Sequence, residues 1–212
     1  MSYSETKIVN IALTELGEDC ILSVDDANER ARRSKMLFGI SRDYVLSRGN
    51  WSFARKTSRL TQAAGEEHPV GVVFVYPSDC LEPRKVVVRG SHPTPWFVEG
   101  DFIIVPVINT SSASTEYLYL QYTKFATNTD KFTIPFLQAV GADLAARMAW
   151  AFTGSNSTAR EKRGLAEILI DEMLTIDANR GSWYREKDED PDNDRFINPA
   201  AGSKVYYASE DT

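Results

Sequence analysis

The spacing of apolar residues changes twice along the chain, and this change limits the folds that are open to it. Apolar side chains recur every three or four residues up to Gly49, every second residue between about 50 and 125, and every three or four residues again from about 135. The first spacing is typical of amphipathic helices and the second of half-buried strands. The order therefore predicts an α+β fold in which a small antiparallel sheet or barrel lies between two helical segments.

The N-terminal segment predicts two helices. Ser2 with Glu5 has the form of a capping box, and Gly17 predicts the end of the first helix. Side-chain oxygens in residues 23–26 predict the start of a second, long helix that ends at Gly49. The inner face of that helix is predicted from residues that recur every three or four positions: Ala27, Ala31, Ser34, Phe38, Ser41 and Val45.

The middle of the chain predicts short strands. Trp51 and Phe53 alternate with small residues, which predicts a strand whose two aromatic rings are core residues where bundle and sheet join. Residues 99–101 separate two apolar runs and predict a hairpin turn. Pro106 predicts an edge or a bulge for the second run, because proline donates no hydrogen bond to a neighbouring strand. Other predicted strands are 72–76, 86–88 and the alternating residues 117–122.

The C-terminal segment predicts a helical hairpin. Pro135 suits a first helical position, Gly154 breaks the pattern, and Thr158 with Glu161 could form another capping box. The predicted inner stripes are Leu137, Val140, Leu144, Met148 and Phe152 on the first helix, and Leu165, Ile168, Leu169, Met173 and Ile176 on the second. With the N-terminal pair, this hairpin would close a four-helix bundle.

These patterns divide the chain into four predicted segments: N-terminal helices of the bundle at 1–49, a β-rich insertion at 50–132, the C-terminal hairpin at 133–184, and an extended acidic arm at 185–212. The arm is acidic at 186–194 and poor in apolar residues, so alone it buries too little apolar surface to offset its ordering entropy. We expect the arm to be disordered in a free subunit and to be held by a partner surface.

Charge is distributed unevenly in a chain whose net charge is −6. Residues 30–59 contain nine basic side chains against one acid, Asp43. Such asymmetry can serve self-association or a charged partner, and it can also be a solvated helix face with a solvated tail. The candidate partner-binding residues are Arg30, Arg32, Arg33 and Lys35 in the basic stretch, and Asp188, Asp190, Phe196, Ile197, Tyr206 and Tyr207 in the arm.

Residues that could carry chemistry are few. The two histidines each precede a proline without metal-ligand spacing, and Cys20 and Cys80 are too few for a disulfide framework or a zinc site. No phosphate-binding glycine loop or nucleophile elbow occurs in the sequence. Asp25 and Asp26 could be a glycosidase pair, but carboxylates near a helix start are mainly caps. We therefore predict no catalytic residue, no cofactor and no metal.

The sequence also has no membrane or export signal. No apolar run reaches the roughly 18 residues that cross a membrane, and the first residues lack the basic start and apolar core of a signal peptide. We expect the chain to be made in a cytoplasm and kept there until assembly.

Six short motifs follow one another in a fixed order. They are 8–18 (IVNIALTELGE), 22–25 (LSVD), 47–53 (SRGNWSF), 76–81 (YPSDCL), 98–101 (VEGD) and 152–155 (FTGS). In this order they resemble the head-to-tail adaptor, or gatekeeper, family of short-tailed bacteriophages, which includes tail tubular protein A. The likeness covers roughly residues 5–180, and its specificity lies in the order of the motifs. Family members often place the tryptophan directly after the glycine, whereas Asn50 intervenes here.

This resemblance implies a structural and non-enzymatic role. Members of the family form a dodecameric ring under the portal protein, the tail nozzle protein (tubular protein B) docks beneath, and genomic DNA passes through the lumen without sequence-specific contact. We expect a virion neck protein, made in the bacterial host cytoplasm, with no membrane anchor. Two other classes stay open: a cell-wall or polysaccharide hydrolase of the virion, which needs paired carboxylates in a pocket, and a DNA-binding accessory protein, whose affinity falls steeply with salt.

Overall fold

The fold is seen in a computed structural model that describes residues 3–88, 93–106 and 118–179. Helices and two small antiparallel sheets make up this part of the chain, so the predicted α+β class is confirmed. The helices are α1 Glu5–Glu15, α2 Glu29–Arg48, α3 Ile134–Thr153 and α4 Asn156–Ala178. The strands are β1 Arg55–Arg59, β2 Gly71–Val75, β3 Cys80–Val88, β4 Pro93–Thr94, β5 Phe97–Glu99, β6 Phe102–Pro106 and β7 Leu118–Lys124. A 3-10 turn, Thr129–Lys131, precedes α3.

The chain forms two compact units. The helical unit contains residues 3–53 and 126–179, and the sheet unit contains the described residues between 54 and 125. The predicted insertion, 50–132, extends further at both ends than this sheet unit. The predicted arm at 185–212 lies outside the described residues.

Helix α1 has a serine cap at its start and a glycine just after its end. The Ser4 hydroxyl accepts a hydrogen bond from the Lys7 amide at 3.3 Å, so the cap is Ser4 and the prediction of Ser2 is wrong. Gly17 has φ +74°, a left-handed conformation that glycine adopts without strain. The predicted end of the helix at Gly17 is therefore confirmed.

Helix α2 begins later than predicted. The Asn28 side chain accepts from the Ala31 amide at 2.8 Å and is the cap. Ser23 and Asp26 instead close a turn on each other, because the Ser23 amide donates to the Asp26 carboxylate at 3.1 Å. The predicted start at 23–26 is wrong, since these side chains satisfy a local turn and Asn28 is nearer to the apolar repeat.

Helix α3 is the centre of the helical unit. It packs against α1, α2 and α4, and these contact it far more than they contact one another. Of its 20 residues 13 are buried, as expected of a helix that is apolar on nearly all sides. Gly141 lets α1 come close, since a Cβ there would lie 2.7 Å from the Ile11 side chain. The four-helix bundle stays a prediction.

Helix α4 is capped by Ser155, not by the predicted box of Thr158 and Glu161. The Ser155 hydroxyl accepts from the Thr158 amide at 3.2 Å. Gly154, with φ +67°, ends α3 as predicted. The short connection at 154–155 makes α3 and α4 a hairpin, as the sequence predicts.

The buried face of α4 differs from the predicted stripe. Met173 is buried and Leu169 is half-buried, but Leu165, Ile168 and Ile176 are exposed. The residues that are buried are Ala166, Ile170, Met173, Asp177 and Ala178. Small side chains explain part of the difference: Ala142 and Ala146 of α3 pack against Ala166, and small residues give a weak hydrophobic signal. Ile170, which the predicted stripe left out, is fully buried.

The sheet unit holds two antiparallel sheets with strand orders β1-β7-β3-β4 and β2-β6-β5. Strands β5 and β6 pair with Glu99 opposite Phe102, and Gly100 in the turn has φ +58°, so the predicted hairpin is confirmed. On β7, Leu118, Leu120 and Tyr122 are buried, in agreement with the predicted alternation. They share one core with residues of the other sheet, such as Phe74, Ile103 and Val105.

Two strand predictions are wrong. Residues 52–54 form a turn, and the first strand is the polar β1, Arg55–Arg59, which has no apolar alternation to reveal it. Strand β6 is the centre of its sheet, so Pro106 does not mark an edge strand. Pro106 is the last residue of β6, where a missing donor removes no hydrogen bond from the interior of the strand.

Candidate interaction surfaces

The predicted basic residues of α2 are mostly paired with acids of the helical unit: Arg30 with Glu18, Arg33 with Glu29, and Lys35 with Asp25. The Arg30–Glu18 and Lys35–Asp25 pairs measure 2.7 and 2.5 Å. Arg32 is exposed and forms no ion pair with the part of the chain that the structure describes. The structure therefore brings acids to three of the four predicted basic residues.

The same pairing continues along the basic stretch. Further pairs are Arg42 with Asp43, Arg48 with Glu167 and Asp171, and Lys56 with Asp79. Most of the acids come from outside residues 30–59, so a charge count along the sequence could not reveal them. Exposed pairs stabilise a protein little, about 0–1 kcal/mol each, but they cancel the positive potential that a DNA-binding face needs.

The six predicted partner-binding residues of the arm lie outside the described residues. They are Asp188, Asp190, Phe196, Ile197, Tyr206 and Tyr207. The structure brings none of them to a described surface, and their role stays a prediction.

A polar network joins α2 and α4 on one side of the helical unit. The Tyr44 hydroxyl donates to Glu167 at 2.7 Å. The Arg48 guanidinium lies 3.2 Å from Glu167 and 3.3 Å from Asp171. The hydrogen bond to Glu167, together with burial, raises the pKa of the Tyr44 hydroxyl.

Helix α3 extends this network inward. The buried Asp143 carboxylate accepts from Arg147 Nε at 2.6 Å, and the Arg147 guanidinium lies 5.1 Å from the centre of the Tyr44 ring. A cation over an aromatic face is attracted by the ring quadrupole. Together these contacts hold the side of α4 that faces α2.

A buried carboxylate at the end of α4 was missed by sequence reasoning. Asp177 is 1% exposed and accepts from the Ser52 amide at 2.6 Å, the Ser52 hydroxyl at 3.0 Å and the Thr133 hydroxyl at 3.1 Å. These donors lie on the turn after α2 and at the cap of α3, so the carboxylate ties three segments together. An aspartate near a helix end suggests a solvated position, and nothing local in the sequence marks it as buried.

The ring of Trp51 lies in the core of the helical unit, which confirms the part of the prediction that made it a core residue. Trp51 is fully buried, its Nε1 donates to the Val45 carbonyl at 2.7 Å, and its ring meets Phe136 edge-on at 5.0 Å. Phe53 is half-buried and its ring lies 4.9 Å from Phe136 and 5.3 Å from Phe132. A buried indole is closed to base stacking, which confirms the core prediction for Trp51.

In the sheet unit, Asp79 is the centre of a charged cluster across three strands. It accepts from Tyr122 Oη of β7 and from Lys56 Nζ of β1, each at 2.7 Å. Burial alone would raise the pKa of Asp79, but the hydrogen bonds from Lys56 and Tyr122 outweigh it and the pKa is lowered. An ionised carboxylate that accepts two hydrogen bonds in this way holds strands together and is a poor general acid.

Few side chains in the described ranges are arranged for acid–base catalysis or for metal binding. Asp25 pairs with Lys35, and Asp26 bonds to the Ser23 amide. An open groove is lined by Lys7, Asn10, Ile11, Thr14 and Glu15. Partial burial raises the pKa of Glu15 against the charge of Lys162, but a glycosidase needs two carboxylates in one site. No three His, Cys, Asp or Glu side chains are grouped to hold a metal ion in the described part.

The outer face of α4 is the clearest unpartnered apolar surface among the described helices. We define it by Leu165, Ile168 and Ile176, which are 52%, 67% and 43% exposed. At about 100° per residue, the three positions fall within a sector of about 80°, which also contains the exposed Glu172. Large apolar residues gathered on one face of a surface helix mark a contact site.

Comparison with protein-family models finds no match for this chain, and a search of curated proteins finds no significant relative either. Of the helices in the described ranges, none combines the length and the apolar character needed to span a bilayer. The likeness to the adaptor family therefore rests on the motifs and their order.

Proposed function

We propose that the chain is a structural head-to-tail adaptor of a short-tailed bacteriophage. It would be one subunit of a ring between the portal protein and the tail nozzle in the virion neck. The observation that carries this proposal is the outer face of α4: three exposed aliphatic side chains on a helix, in a unit where the basic residues of α2 are mostly paired with acids. Such a surface suits permanent protein–protein association.

A ring needs two different faces on each subunit. A head-to-tail contact closes into a ring when its rotation divides the full turn. The outer face of α4 would be one partner in the lateral contact, with the four helices as the bundle that forms the ring wall. The predicted arm, with Phe196, Ile197, Tyr206 and Tyr207, would reach a neighbouring subunit or the portal, because aromatic side chains anchor interfaces.

Charge agrees with a lumen through which DNA passes. The net charge is −6, and the basic stretch is largely neutralised by acids of its own chain. Retention of DNA requires several unpaired cations against the phosphates. A wall of this composition would let DNA pass without holding it.

Electron microscopy of the purified protein mixed with its portal tests the proposal. We expect a twelve-fold ring seated on the portal, with α4 at the contact between neighbouring subunits. A protein that stays monomeric in the presence of portal contradicts it. So does turnover of peptidoglycan or polysaccharide that a single carboxylate substitution abolishes.

A further inference from the structure

Helices α2 and α4 run in the same direction. The Tyr44 hydroxyl donates to Glu167, and the Arg48 guanidinium, one turn later, donates to Asp171. The two partners are 123 positions apart in both pairs, as in parallel helices. Neighbouring subunits of a twelve-membered ring differ by a rotation of about 30°. Helices that are parallel within one subunit therefore stay nearly parallel across a contact between two subunits.

The same two helices lie on opposite sides of α3. Ala142 and Ala146 of α3 pack against Ala166 of α4. Met148 of α3 meets α2, because its sulfur accepts a hydrogen bond from the Ser34 hydroxyl at 3.3 Å. At about 100° per residue, Met148 lies about 140° around α3 from the midpoint of the two alanines. The outward sides of α2 and α4 thus point about 140° apart, and a twelve-membered ring needs about 150° between the two contact faces of a subunit.

The outward side of α2 carries one base and two exposed apolar residues. We call Arg32, Met36 and Ile40 the outer row of α2; they follow one another at intervals of four and lie within a sector of about 80°. Met36 and Ile40 are 67% and 53% exposed. Arg32 is exposed and has no ion pair within the described ranges, whereas Arg30 and Arg33 are paired. The row therefore offers a positive charge next to an apolar strip.

The outward side of α4 carries a matching set of opposite charge. Glu161 precedes Leu165 by four positions and Ile168 by seven, and the three lie within a sector of about 60°. Glu161 is exposed and has no ion pair in the part of the chain that the structure describes. On both helices a charge comes first and two exposed apolar residues follow at nearly the same spacing. Two parallel helices can therefore match charge with charge and apolar strip with apolar strip.

We propose that the outer row of α2 receives the outer face of α4 from a second copy of this chain. Arg32 pairs with Glu161 of the other copy, and Met36 packs on its Leu165. The charges fix the direction, since in an antiparallel arrangement each charge would meet the apolar end of the other row. The inference rests on the proposed function, because it names the second face of the same ring contact.

Charge exchange tests the pairing during ring assembly with the portal. Arg32→Glu should lower the fraction of protein in rings several-fold, as counted in electron micrographs, and so should Glu161→Arg. The double variant Arg32→Glu, Glu161→Arg should restore rings to nearly the level of the parent protein, because the pair forms again with its signs exchanged. The matched control is Arg32→Glu, Glu172→Arg, which has the same net charge and should not restore them.

Thermal unfolding shows whether these variants fold. Arg32, Glu161 and Glu172 are exposed, so we expect each variant to keep nearly the Tm of the parent protein. Rings formed as readily by Arg32→Glu as by the parent protein overturn the proposal. Restoration of rings by the control double variant overturns it as well, because the effect would then depend on net charge alone.

Disulfide trapping gives a second reading of the same contact. The background variant is Cys20→Ser, because Cys20 is exposed and Cys80 is buried. Oxidation of a mixture of Met36→Cys and Leu165→Cys should join the two variants several-fold faster than a mixture of Leu22→Cys and Leu165→Cys. Leu22 is the control because it is 96% exposed outside the outer row of α2.

The two experiments separate this contact from the proposed function. Rings with equal cross-linking in the two mixtures overturn the contact and leave the proposed function standing. Preferential cross-linking without rings supports the contact and counts against the proposed function. A protein that forms neither rings nor preferential cross-links contradicts both.

Discussion

Trp51 shows how one residue joins the end of a helix to a core. It follows Gly49 and Asn50 at the end of α2, and its indole N–H returns to the Val45 carbonyl on the last turns of that helix. A buried tryptophan needs such a partner for its one polar atom. Its ring packs against Phe136, so the same side chain donates a hydrogen bond to a carbonyl near the end of α2 and fills the core.

Replacing Trp51 with alanine should therefore be costly. We expect Trp51→Ala to lower the free energy of unfolding by roughly 3–5 kcal/mol, as large-to-small core substitutions do, measured by urea unfolding. Trp150→Ala is the matched control, because Trp150 is 61% exposed, and should change stability little. A Trp51→Ala protein of unchanged stability would show that the ring lies elsewhere.

Glycine has a different role at Gly71, where two strands come close. A Cβ at this position would lie 2.7 Å from the Pro106 Cα and closer still to the Val105 carbonyl oxygen. Both are backbone atoms, which cannot move aside as a side chain can. The opposite case is Gly164 on α4, where a Cβ would meet nothing within 4 Å.

The two glycines should respond to alanine with opposite signs. Gly71→Ala should destabilise the protein by roughly 1–3 kcal/mol through steric overlap. Gly164→Ala should stabilise it by roughly 0.5–1 kcal/mol, because alanine loses less entropy in a helix. Thermal unfolding of both variants beside the parent protein gives the comparison. Equal shifts of the same sign would contradict this account.

At the scale of elements, the sheet unit is linked across β1, β7 and β3 by the Asp79 cluster. Lys56 is on β1, Tyr122 is on β7, and Asp79 immediately precedes β3. Because the cluster stabilises the ionised carboxylate, the pKa of Asp79 is lower in the folded chain than its ordinary value of 3.8. A lowered folded pKa stabilises the protein above the unfolded pKa.

This stabilisation should disappear as the pH falls through the folded pKa of Asp79. The difference in Tm between the parent protein and Asp79→Asn should be largest near about pH 6 and shrink toward about pH 2.5. Asp101→Asn, in the exposed hairpin turn, is the control for general acid effects. A difference that stays constant over this range would mean that the ionised carboxylate contributes nothing to stability.

Helix α4 has a buried face and an exposed face that both carry apolar residues. The buried face combines small residues with Ile170 and Met173, and the exposed face carries Leu165, Ile168 and Ile176. We expect Ile168→Glu to leave the Tm nearly unchanged, because surface substitutions rarely exceed about 0.5 kcal/mol, while it abolishes ring assembly in electron microscopy. The control is Leu22→Glu, since Leu22 is 96% exposed outside this face. Rings formed by Ile168→Glu would exclude α4 from the contact.

At the scale of the whole molecule, ion pairs within the chain reduce the positive charge that is available to bind nucleic acid. The sequence concentrates bases at 30–59, and the fold brings acids to most of them from α4, the sheet unit and the loop before α2. The resulting surface differs from what the linear charge pattern indicates. Few unpaired cations remain on this stretch to release counterions from DNA.

We therefore expect weak binding to duplex DNA. Fluorescence anisotropy should show a Kd of about 10⁻⁴ M or weaker at physiological salt, which is the weak end of non-specific binding. The double variant Glu167→Gln, Asp171→Asn frees Arg48 and should tighten binding at low salt. Tight binding by the parent protein, with a steep salt slope, would instead favour the DNA-binding class.

Local patterns in the sequence determined the element types because they act over a few residues. The change of period predicted helices before and after a sheet, and the glycines at 17, 100 and 154 predicted a helix end, a hairpin and a helix break, all of which the structure confirms. The sequence predicted the first residues of the helices less well, since the N-terminal caps are Ser4, Asn28 and Ser155. Several polar residues near each start could serve, and the tertiary path of the chain selects one.

Tertiary structure alone decided which face of α4 is buried and which charges are paired. The sequence favours Leu165, Ile168 and Ile176 as part of the inner stripe of α4, but these three residues point outward. Ala166, which packs against the alanines of α3, and Ile170 are buried in their place. Asp177 is buried because Ser52 and Thr133, distant in sequence, supply its hydrogen bonds. Burial and charge pairing depend on neighbours far along the chain, and no local pattern contains them.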